Sequence, residues 1–244
     1  MTRVKICGIT NIADARCAAS AGADLLGFIF YRDSARYVTP AQAGEITSAL
    51  QAEFGAAAPR MVGVFVDVPV NEITETAATA GLDLAQLHGA ETPEMVDALN
   101  VCARGVRARG VHAFKAIRSR TLEGATAALE KYDGHPDGCD RNDMPSLLID
   151  AYHPQERGGT GLRADVAVAQ WLSRRCRLLL AGGLTPENIS DAITLIKPWG
   201  VDVSSGVEVT KGIKDHILVR AFIAAVRAAD RQLDLQGATY DTDS

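Results

Sequence analysis

Short apolar runs and helical patterns alternate eight times along this chain of 244 residues. The strand-like runs cover 4–7, 25–30, 61–66, 84–87, 113–117, 147–150, 178–181 and 201–204. The helical patterns that follow them cover 12–21, 40–52, 70–80, 93–103, 122–132, 164–173, 186–196 and 215–229. This alternation is typical of parallel strands joined by right-handed helical crossovers, and eight such units can close on themselves. The sequence therefore predicts an α/β fold, a single (β/α)8 TIM barrel.

The length favours one domain, because a barrel of this kind takes roughly 250 residues. No Gly-x-Gly-x-x-Gly turn follows the first strand, which disfavours an open dinucleotide-binding sheet. The barrel is predicted to occupy 1–231, followed by a polar, mildly acidic and disordered tail at 232–244. The polar segment 133–145 is predicted to be a surface loop before the sixth strand.

Three Thr-Pro pairs are typical of helix starts, with a capping hydroxyl before a proline at the first helical position. They are Thr39-Pro40, Thr92-Pro93 and Thr185-Pro186. We expect them to be structural signals only.

The composition is that of a globular protein with a small-molecule ligand. A net charge of −5 indicates no basic surface for nucleic acid or for an anionic membrane. The sequence contains no apolar leader and no run long enough to span a membrane, so the expected location is the cytoplasm. The five cysteines lie far apart with no Cys-x-x-Cys pair, which disfavours a zinc site and a disulfide framework and predicts reduced thiols.

The first strand ends in a thiol beside a glycine turn. Val4 and Ile6 point to one side of this strand, and Arg3, Lys5 and Cys7 to the other. A polar inner row with an apolar outer row fits a barrel strand, and the active site of such a barrel lies at the carboxyl ends of the strands. The pattern therefore places Cys7 for chemistry, although a free cysteine is also common as a small buried hydrophobe.

The turns after the last two strands are typical of a phosphate site. Gly182 and Gly183 follow the seventh strand, and Ser204, Ser205 and Gly206 follow the eighth. Glycine turns let backbone N–H groups approach an anion, and serines add hydroxyl donors. Barrels of this class often bind phosphate between these two loops. The alternative is that the glycines only make tight turns.

Asp150 ends the sixth strand, so its carboxylate points to the barrel mouth. Counting around the ring, the backbones at Cys7 and Asp150 lie roughly 13 Å apart, which leaves room for a sugar between the side chains. This separation suits an acid and a base that act on different atoms of one ribose-sized substrate, rather than a hydrogen-bonded nucleophile and base. A capping or turn aspartate is the alternative.

At seven places the sequence resembles the phosphoribosylanthranilate isomerase family, in order along nearly the whole chain. The matching segments are 5–11, 27–31 with 34–37, 86–89, 148–150, 158–161, 182–184 and 202–208. Each segment is a weak signal alone, but the ordered set is specific. The chain departs from the family pattern in the segment 133–145, in Arg157 where an aromatic residue is expected, and in a weaker aromatic signature after Gly161.

The resemblance implies the step of tryptophan biosynthesis in which N-(5-phosphoribosyl)anthranilate undergoes an Amadori rearrangement. No redox change occurs, so no cofactor and no metal are expected. The family pattern implies Asp150 as the acid at the ribose ring oxygen and Cys7 as the base at C2. It also implies that Arg36, in the loop after the second strand, binds the anthranilate carboxylate; a solvated loop arginine is the alternative. His88 ends the fourth strand and is predicted to line the anthranilate pocket, with a structural histidine as the alternative. The expected partner is a small phosphoribosyl substrate, and the chain is expected to be a monomer or a homodimer.

Both catalytic groups need a tuned environment, because a free aspartate is ionised at pH 7 and a free thiol is mostly protonated. Lys5 lies on the same face of the strand as Cys7 and is predicted to lower the pKa of the thiol. Asp202, on the neighbouring strand, is predicted to be the counter-ion of Lys5 and also to bind substrate. The glycine-rich segment 158–161 is predicted to be a mobile lid.

Three other functions stay open at this point. The first is the analogous isomerase of histidine biosynthesis, which typically pairs two carboxylates and is disfavoured by Cys7. A metal-dependent epimerase would need clustered histidines and acids, and only His88 stands at a strand end. The third is a non-catalytic phosphate-ligand sensor on the same barrel.

Overall fold

The computed structural model describes residues 1–104, 111–132, 144–150 and 161–240, with side chains for all of these except 101–104, 161–165 and 236–240. Eight parallel strands close into a barrel in chain order, and the last strand pairs with the first. The strands are β1 (Arg3–Cys7), β2 (Leu25–Ile29), β3 (Arg60–Phe65), β4 (Leu84–Leu87), β5 (His112–Ile117), β6 (Leu147–Asp150), β7 (Leu178–Ala181) and β8 (Gly200–Val203). The predicted fold class is confirmed.

Helices follow the strands and cover the outside of the barrel. They are α1 (Ile12–Ala21), α2 (Pro40–Phe54), α3 (Val70–Ala80), α4 (Pro93–Arg104), α5 (Leu122–Tyr132), α6 (Gly161–Ser173), α7 (Ile189–Ile196) and α8 (His216–Tyr240). No helix among these described segments is long and apolar enough to cross a membrane.

The strand residues alternate between two apolar layers. Outward-facing residues such as Val4, Ile6 and Val201 pack against the helices in the main core. Inward-facing residues such as Leu84, Phe114 and Leu148 fill the lower barrel. Above these apolar residues the inward-facing side chains become polar. The apolar packing therefore ends where the carboxyl ends of the strands begin to form the mouth.

Helix α7 begins later than predicted. Thr39 caps α2 with a full capping box, as expected. Thr185 does not cap α7 in the same way, because residues 186–188 form a turn in which the side chain of Asn188 accepts from the Thr185 amide. The helix then starts at Ile189, with Asn188 as its N-cap residue.

Helix α8 is longer than predicted, since it runs to Tyr240. Residues 232–240 of the expected disordered tail are therefore helical, and 241–244 lie outside the described residues. Leu233 packs against the main core and extends the apolar face of the helix past the predicted boundary at 231.

The segment predicted as a surface loop, 133–145, is described only at its end. Met144 is buried among the residues that fill the lower barrel, so the chain enters the core before β6 begins. Arg177 supports this entry by donating from Nε to the Met144 carbonyl at 2.6 Å. Residues 133–143 lie outside the described residues.

A hairpin that the sequence analysis did not predict follows β8. A 3-10 turn (Ser205–Val207) leads into β9 (Glu208–Thr210), which pairs antiparallel with β10 (Ile213–Lys214). The hairpin brings Glu208 and Lys214 to the rim of the barrel mouth.

Candidate active site

The carboxyl ends of the strands enclose a cavity of about 330 Å³. Every site residue predicted from the sequence lines it: Cys7, Arg36, His88, Asp150, Gly182, Gly183, Asp202, Ser204, Ser205 and Gly206. The alternation of side chains on the strands explains this result, because each predicted residue occupies an inward position or follows a strand end.

Cys7 is 6% exposed and lies at the edge of the cavity. Its register partner on β2 is Gly27, where an added Cβ would lie 2.7 Å from the Cys7 sulfur. Gly27 therefore leaves the space that the thiol occupies. Gly8 then turns the chain with a φ of +78°, and an added Cβ there would lie 2.6 Å from Cδ of Arg36. This glycine lets Arg36 cross close above the end of β1.

A buried polar layer lies directly below the thiol. Lys5 is fully buried, and its Nζ lies 3.1 Å from Oδ1 of Asp202 and 2.9 Å from Oε1 of Gln86. The predicted pairing of Lys5 with Asp202 is present. Burial opposes the charge on Lys5, but Asp202 and Cys7 outweigh it and raise the pKa of this lysine. The lysine is therefore a fixed positive charge beneath Cys7.

Burial raises the pKa of the Cys7 thiol above its usual value near 9. Lys5 acts in the predicted direction and lowers the pKa, whereas Asp202 raises it further. The expectation of a net lowered pKa was wrong, because loss of solvent outweighs the ammonium charge at this depth. Cys7 is therefore mostly a protonated thiol at pH 7 in the unliganded protein.

Asp150 lies on β6 with two donors beside one of its oxygens. Its Oδ2 is 3.9 Å from Nε2 of His88 and 3.8 Å from Nε of Arg118. Burial lowers the pKa of His88; Asp150 opposes this shift and Arg118 supports it. His88 is therefore neutral at pH 7.

Arg36 is paired with a carboxylate of the chain itself, which the sequence analysis did not predict. Its Nε and Nη2 donate to the two carboxylate oxygens of Glu208 at 2.8 and 2.6 Å. Glu208 also accepts from Nζ of the buried Lys214 at 2.8 Å. A guanidinium has five N–H donors, so this pairing leaves the opposite side of Arg36 available for another carboxylate.

The two turns predicted to bind phosphate form one wall of the cavity. Gly182 and Gly183 have φ angles of +99° and +59°, in the left-handed region that glycine favours. An added Cβ on Gly206 would collide with the carbonyl oxygen of Leu184, so the two turns pack in direct contact. The buried hydroxyl of Ser204 has no hydrogen-bond partner among the described residues, and it lines the cavity. An anion bound there would satisfy it.

Comparison with known proteins identifies the family. The model of the N-(5'phosphoribosyl)anthranilate (PRA) isomerase family matches residues 4–225. The chain belongs to this family. The isomerase of Geobacter sp. (strain M21) is 41% identical over 93% of this chain and 98% of its own. The prediction of an isomerase on a closed barrel is thereby confirmed.

Two solved structures of isomerases have the same fold. One holds monomers generated from the dimeric enzyme of Thermotoga maritima; it is 32% identical with a TM-score of 0.74, covering 93% of this chain and 100% of that one. The other is an isomerase in complex with reduced 1-(o-carboxyphenylamino)-1-deoxyribulose 5-phosphate. It is 33% identical with a TM-score of 0.73, and the match covers 93% of this chain and 100% of that one.

Sequence reasoning assigned no role to four charged or polar residues of this isomerase: Gln86, Arg118, Glu208 and Lys214. Gln86 and Arg118 occupy inward positions two residues from His88 and Ala116, so alternation along β4 and β5 could have found them. Glu208 ends the segment 202–208 that resembles the family, so that segment could have drawn attention to it. Lys214 gave no comparable signal, because the hairpin that carries it was not predicted. Residues 157–160, which include Arg157 and most of the predicted lid, lie outside the described residues.

We expect Lys5→Met to raise the pKa of the Cys7 thiol and Asp202→Asn to lower it, because the ammonium favours the thiolate and the carboxylate opposes it. The pH dependence of Cys7 alkylation by iodoacetamide measures this pKa, with Cys7→Ser identifying the signal. Each single variant leaves a buried charge unpaired at a cost of about 3–5 kcal/mol, so urea unfolding is measured in parallel. Shifts of the same sign in both variants would contradict the assignment.

We expect Glu208→Gln to raise KM about tenfold with little change in kcat, because a hydrogen bond to a charged group contributes about 1.5–3 kcal/mol. The variant weakens the contact that orients Arg36 towards a substrate carboxylate. Glu53→Gln is the matched control, since Glu53 pairs with Arg16 on the surface at 2.7 Å. An unchanged KM in Glu208→Gln would exclude this positioning role.

Proposed function

We propose that this protein converts N-(5'-phosphoribosyl)anthranilate to 1-(2-carboxyphenylamino)-1-deoxyribulose 5-phosphate, in the tryptophan pathway, with Asp150 as the general acid and Cys7 as the general base. One observation carries the proposal: a single cavity joins the thiol of β1, the carboxylate of β6 and the paired glycine and serine turns. The thiol, the carboxylate and the two turns belong to different parts of the barrel rim, so they can act on different parts of one substrate.

The substrate spans this cavity in one orientation. Its phosphate lies against Gly182, Gly183 and Ser204, where backbone donors and the unpaired hydroxyl favour an anion. Its anthranilate carboxylate binds the side of Arg36 that Glu208 leaves available. The ribose then lies between Asp150 and Cys7.

The reaction begins with one proton delivered and one removed. Asp150 gives its proton to the ribose ring oxygen as the bond between that oxygen and C1 breaks, which leaves an iminium at C1. The Cys7 thiolate takes the proton from C2, and the electron pair of that C–H bond forms a C1–C2 double bond as the iminium nitrogen regains its electrons. The enol oxygen then loses a proton and C1 gains one. The product is an isomer of the substrate, so no electron acceptor takes part.

The direct test is turnover by the purified protein. The substrate is made in place from anthranilate and phosphoribosyl pyrophosphate, and its fluorescence is followed. Fast loss of this fluorescence that depends on the protein supports the proposal. If the protein binds the reduced product analogue but gives no turnover, it is a phosphate-ligand sensor. Turnover of the histidine-pathway aminoimidazole substrate alone would identify the related isomerase instead.

A further inference from the structure

A continuous chain of hydrogen bonds runs from the polar layer below Cys7 towards Asp150. Nζ of Lys5 donates to Oε1 of Gln86 at 2.9 Å, and Nε2 of Gln86 lies 3.0 Å from Nδ1 of His88. Gln86 is 2% exposed, so solvent does not replace these contacts. His88 in turn faces Asp150 across the cavity.

The first contact determines the direction of the second. An ammonium group only donates hydrogen bonds, so the amide oxygen of Gln86 must face Lys5 and its NH₂ group must face His88. Nδ1 of His88 must then accept, because an N–H at that position would point at the NH₂ group. A neutral His88 therefore carries its proton on Nε2, the nitrogen that faces Asp150. Nη2 of Arg118 lies 3.5 Å from the same nitrogen, but Arg118 is 75% exposed and this contact is at the limit of a hydrogen bond. The shorter contact from the buried Gln86 to Nδ1, at 3.0 Å, therefore decides the tautomer.

The surroundings keep His88 neutral. Burial is the largest cause of its lowered pKa; Arg118 and Lys5 lower the pKa further, while Asp150 and Asp202 raise it. These four are the charged groups whose fields His88 senses most among the described residues.

The donors beside Asp150 converge on one oxygen. Both Nε2 of His88 and Nε of Arg118 approach Oδ2, at 3.9 and 3.8 Å. These separations are longer than hydrogen bonds, but acid–base contacts in unliganded sites commonly tighten when substrate binds. Because both donor nitrogens lie on the side of Oδ2, a protonated Asp150 carries its proton on Oδ1.

We infer that Gln86 is a positioning residue that fixes His88 as the Nε2–H tautomer and thereby places the acidic proton of Asp150 on Oδ1. The inference rests on the proposed role of Asp150 as the acid. The step itself transfers the proton from Oδ1 to the ribose ring oxygen and leaves the carboxylate with His88 and Arg118 at Oδ2.

The tautomer is tested without any activity measurement. Long-range ¹H–¹⁵N correlation spectra of ¹⁵N-histidine-labelled protein distinguish the two neutral tautomers, and His88→Asn assigns the signal. Wild-type protein should show the Nε2–H form at pH 7. In Gln86→Glu a carboxylate oxygen faces Nδ1, so His88 should become the Nδ1–H tautomer or the imidazolium. A wild-type Nδ1–H signal, or a tautomer unchanged by Gln86→Glu, would overturn the inference.

Kinetics test the effect on the acid. Misplacing the proton in Gln86→Glu should lower kcat at least about tenfold, a part of the roughly 10²–10⁴-fold that a general acid supplies. KM and the affinity for the reduced product analogue should change less than about threefold, since Gln86 does not contact the substrate in the proposed pose. Gln86→Met, which imposes no tautomer, should lie between wild type and Gln86→Glu.

Asn100→Asp is the matched control, because Asn100 is a buried amide outside the cavity that bonds the backbone of Ala113. It should lose stability without changing the His88 signal. A fall in kcat in Asn100→Asp as large as in Gln86→Glu would assign the effect of Gln86 to folding and overturn its positioning role. A wild-type protein that lacks turnover but shows the Nε2–H tautomer would refute the proposed function and leave the tautomer assignment standing.

Discussion

Asp150→Asn is expected to lower kcat about 10³-fold, within the 10²–10⁴ range of general acid catalysis. The amide keeps the size and the acceptor oxygen of the carboxyl but has no proton to give to the ring oxygen. The expected loss corresponds to about 4 kcal/mol of transition-state stabilisation. Steady-state fluorescence kinetics measure kcat and KM.

Two controls separate the loss of the acid from general damage. The affinity for the reduced product analogue should stay within about fivefold of wild type, because a ground-state contact to this partly exposed carboxylate contributes only about 1 kcal/mol. Asp191→Asn, an equal change at an exposed position of α7, should leave kcat unchanged. Substantial activity in Asp150→Asn would mean that another group delivers the proton.

Cys7→Ser is expected to lower kcat by a similar factor, about 10²–10⁴. A serine hydroxyl is a much weaker acid than a thiol, so almost no anionic base forms at pH 7. The matched control is Cys17→Ser, since Cys17 is another buried free cysteine but does not line the cavity. A Cys7→Ser variant as active as Cys17→Ser would exclude the thiolate as the base.

The raised pKa of Cys7 adds a pH dependence with a defined sign. The thiolate is the active form, and it is the minor form at pH 7. In the wild type the acid titrates as well, so the base is followed in the residual activity of Asp150→Asn, where kcat/KM should rise with pH on the acidic side of the thiol pKa. Adding Asp202→Asn to that variant should move the rise to lower pH. A fall in kcat/KM of Asp150→Asn from pH 6 to pH 8 would contradict the role of Cys7.

The inward-facing residues of the strands were predictable because the two-residue period of a strand determines which side chains share a face. Lys5 and Cys7 on β1 show this, and the register that places Lys5 beside Asp202 follows from closing eight parallel strands in order. The phosphate turns were also predictable, because their glycines and serines follow β7 and β8 directly.

Other features depend on tertiary structure that local patterns do not encode. The β9–β10 hairpin has strands of three and two residues, and Val209 is 70% exposed, so no periodic apolar signal marks it. Its partner Arg36 lies 172 positions away from Glu208 in the chain. The direction of the pKa shift of the Cys7 thiol was predicted wrongly for a different reason. This shift depends on how deeply the thiol is buried, and the depth of burial depends on how the loops pack over the barrel mouth.

The most direct test of the central claim is a single-turnover measurement with enzyme in excess over substrate. Wild type, Asp150→Asn and Cys7→Ser are mixed with N-(5'-phosphoribosyl)anthranilate at saturating enzyme, and the decay of fluorescence is recorded. Because binding is complete and product release does not contribute, the decay reports the chemical steps. The proposed mechanism predicts that both variants are at least about 100-fold slower than wild type. Decay at the wild-type rate in either variant would contradict it.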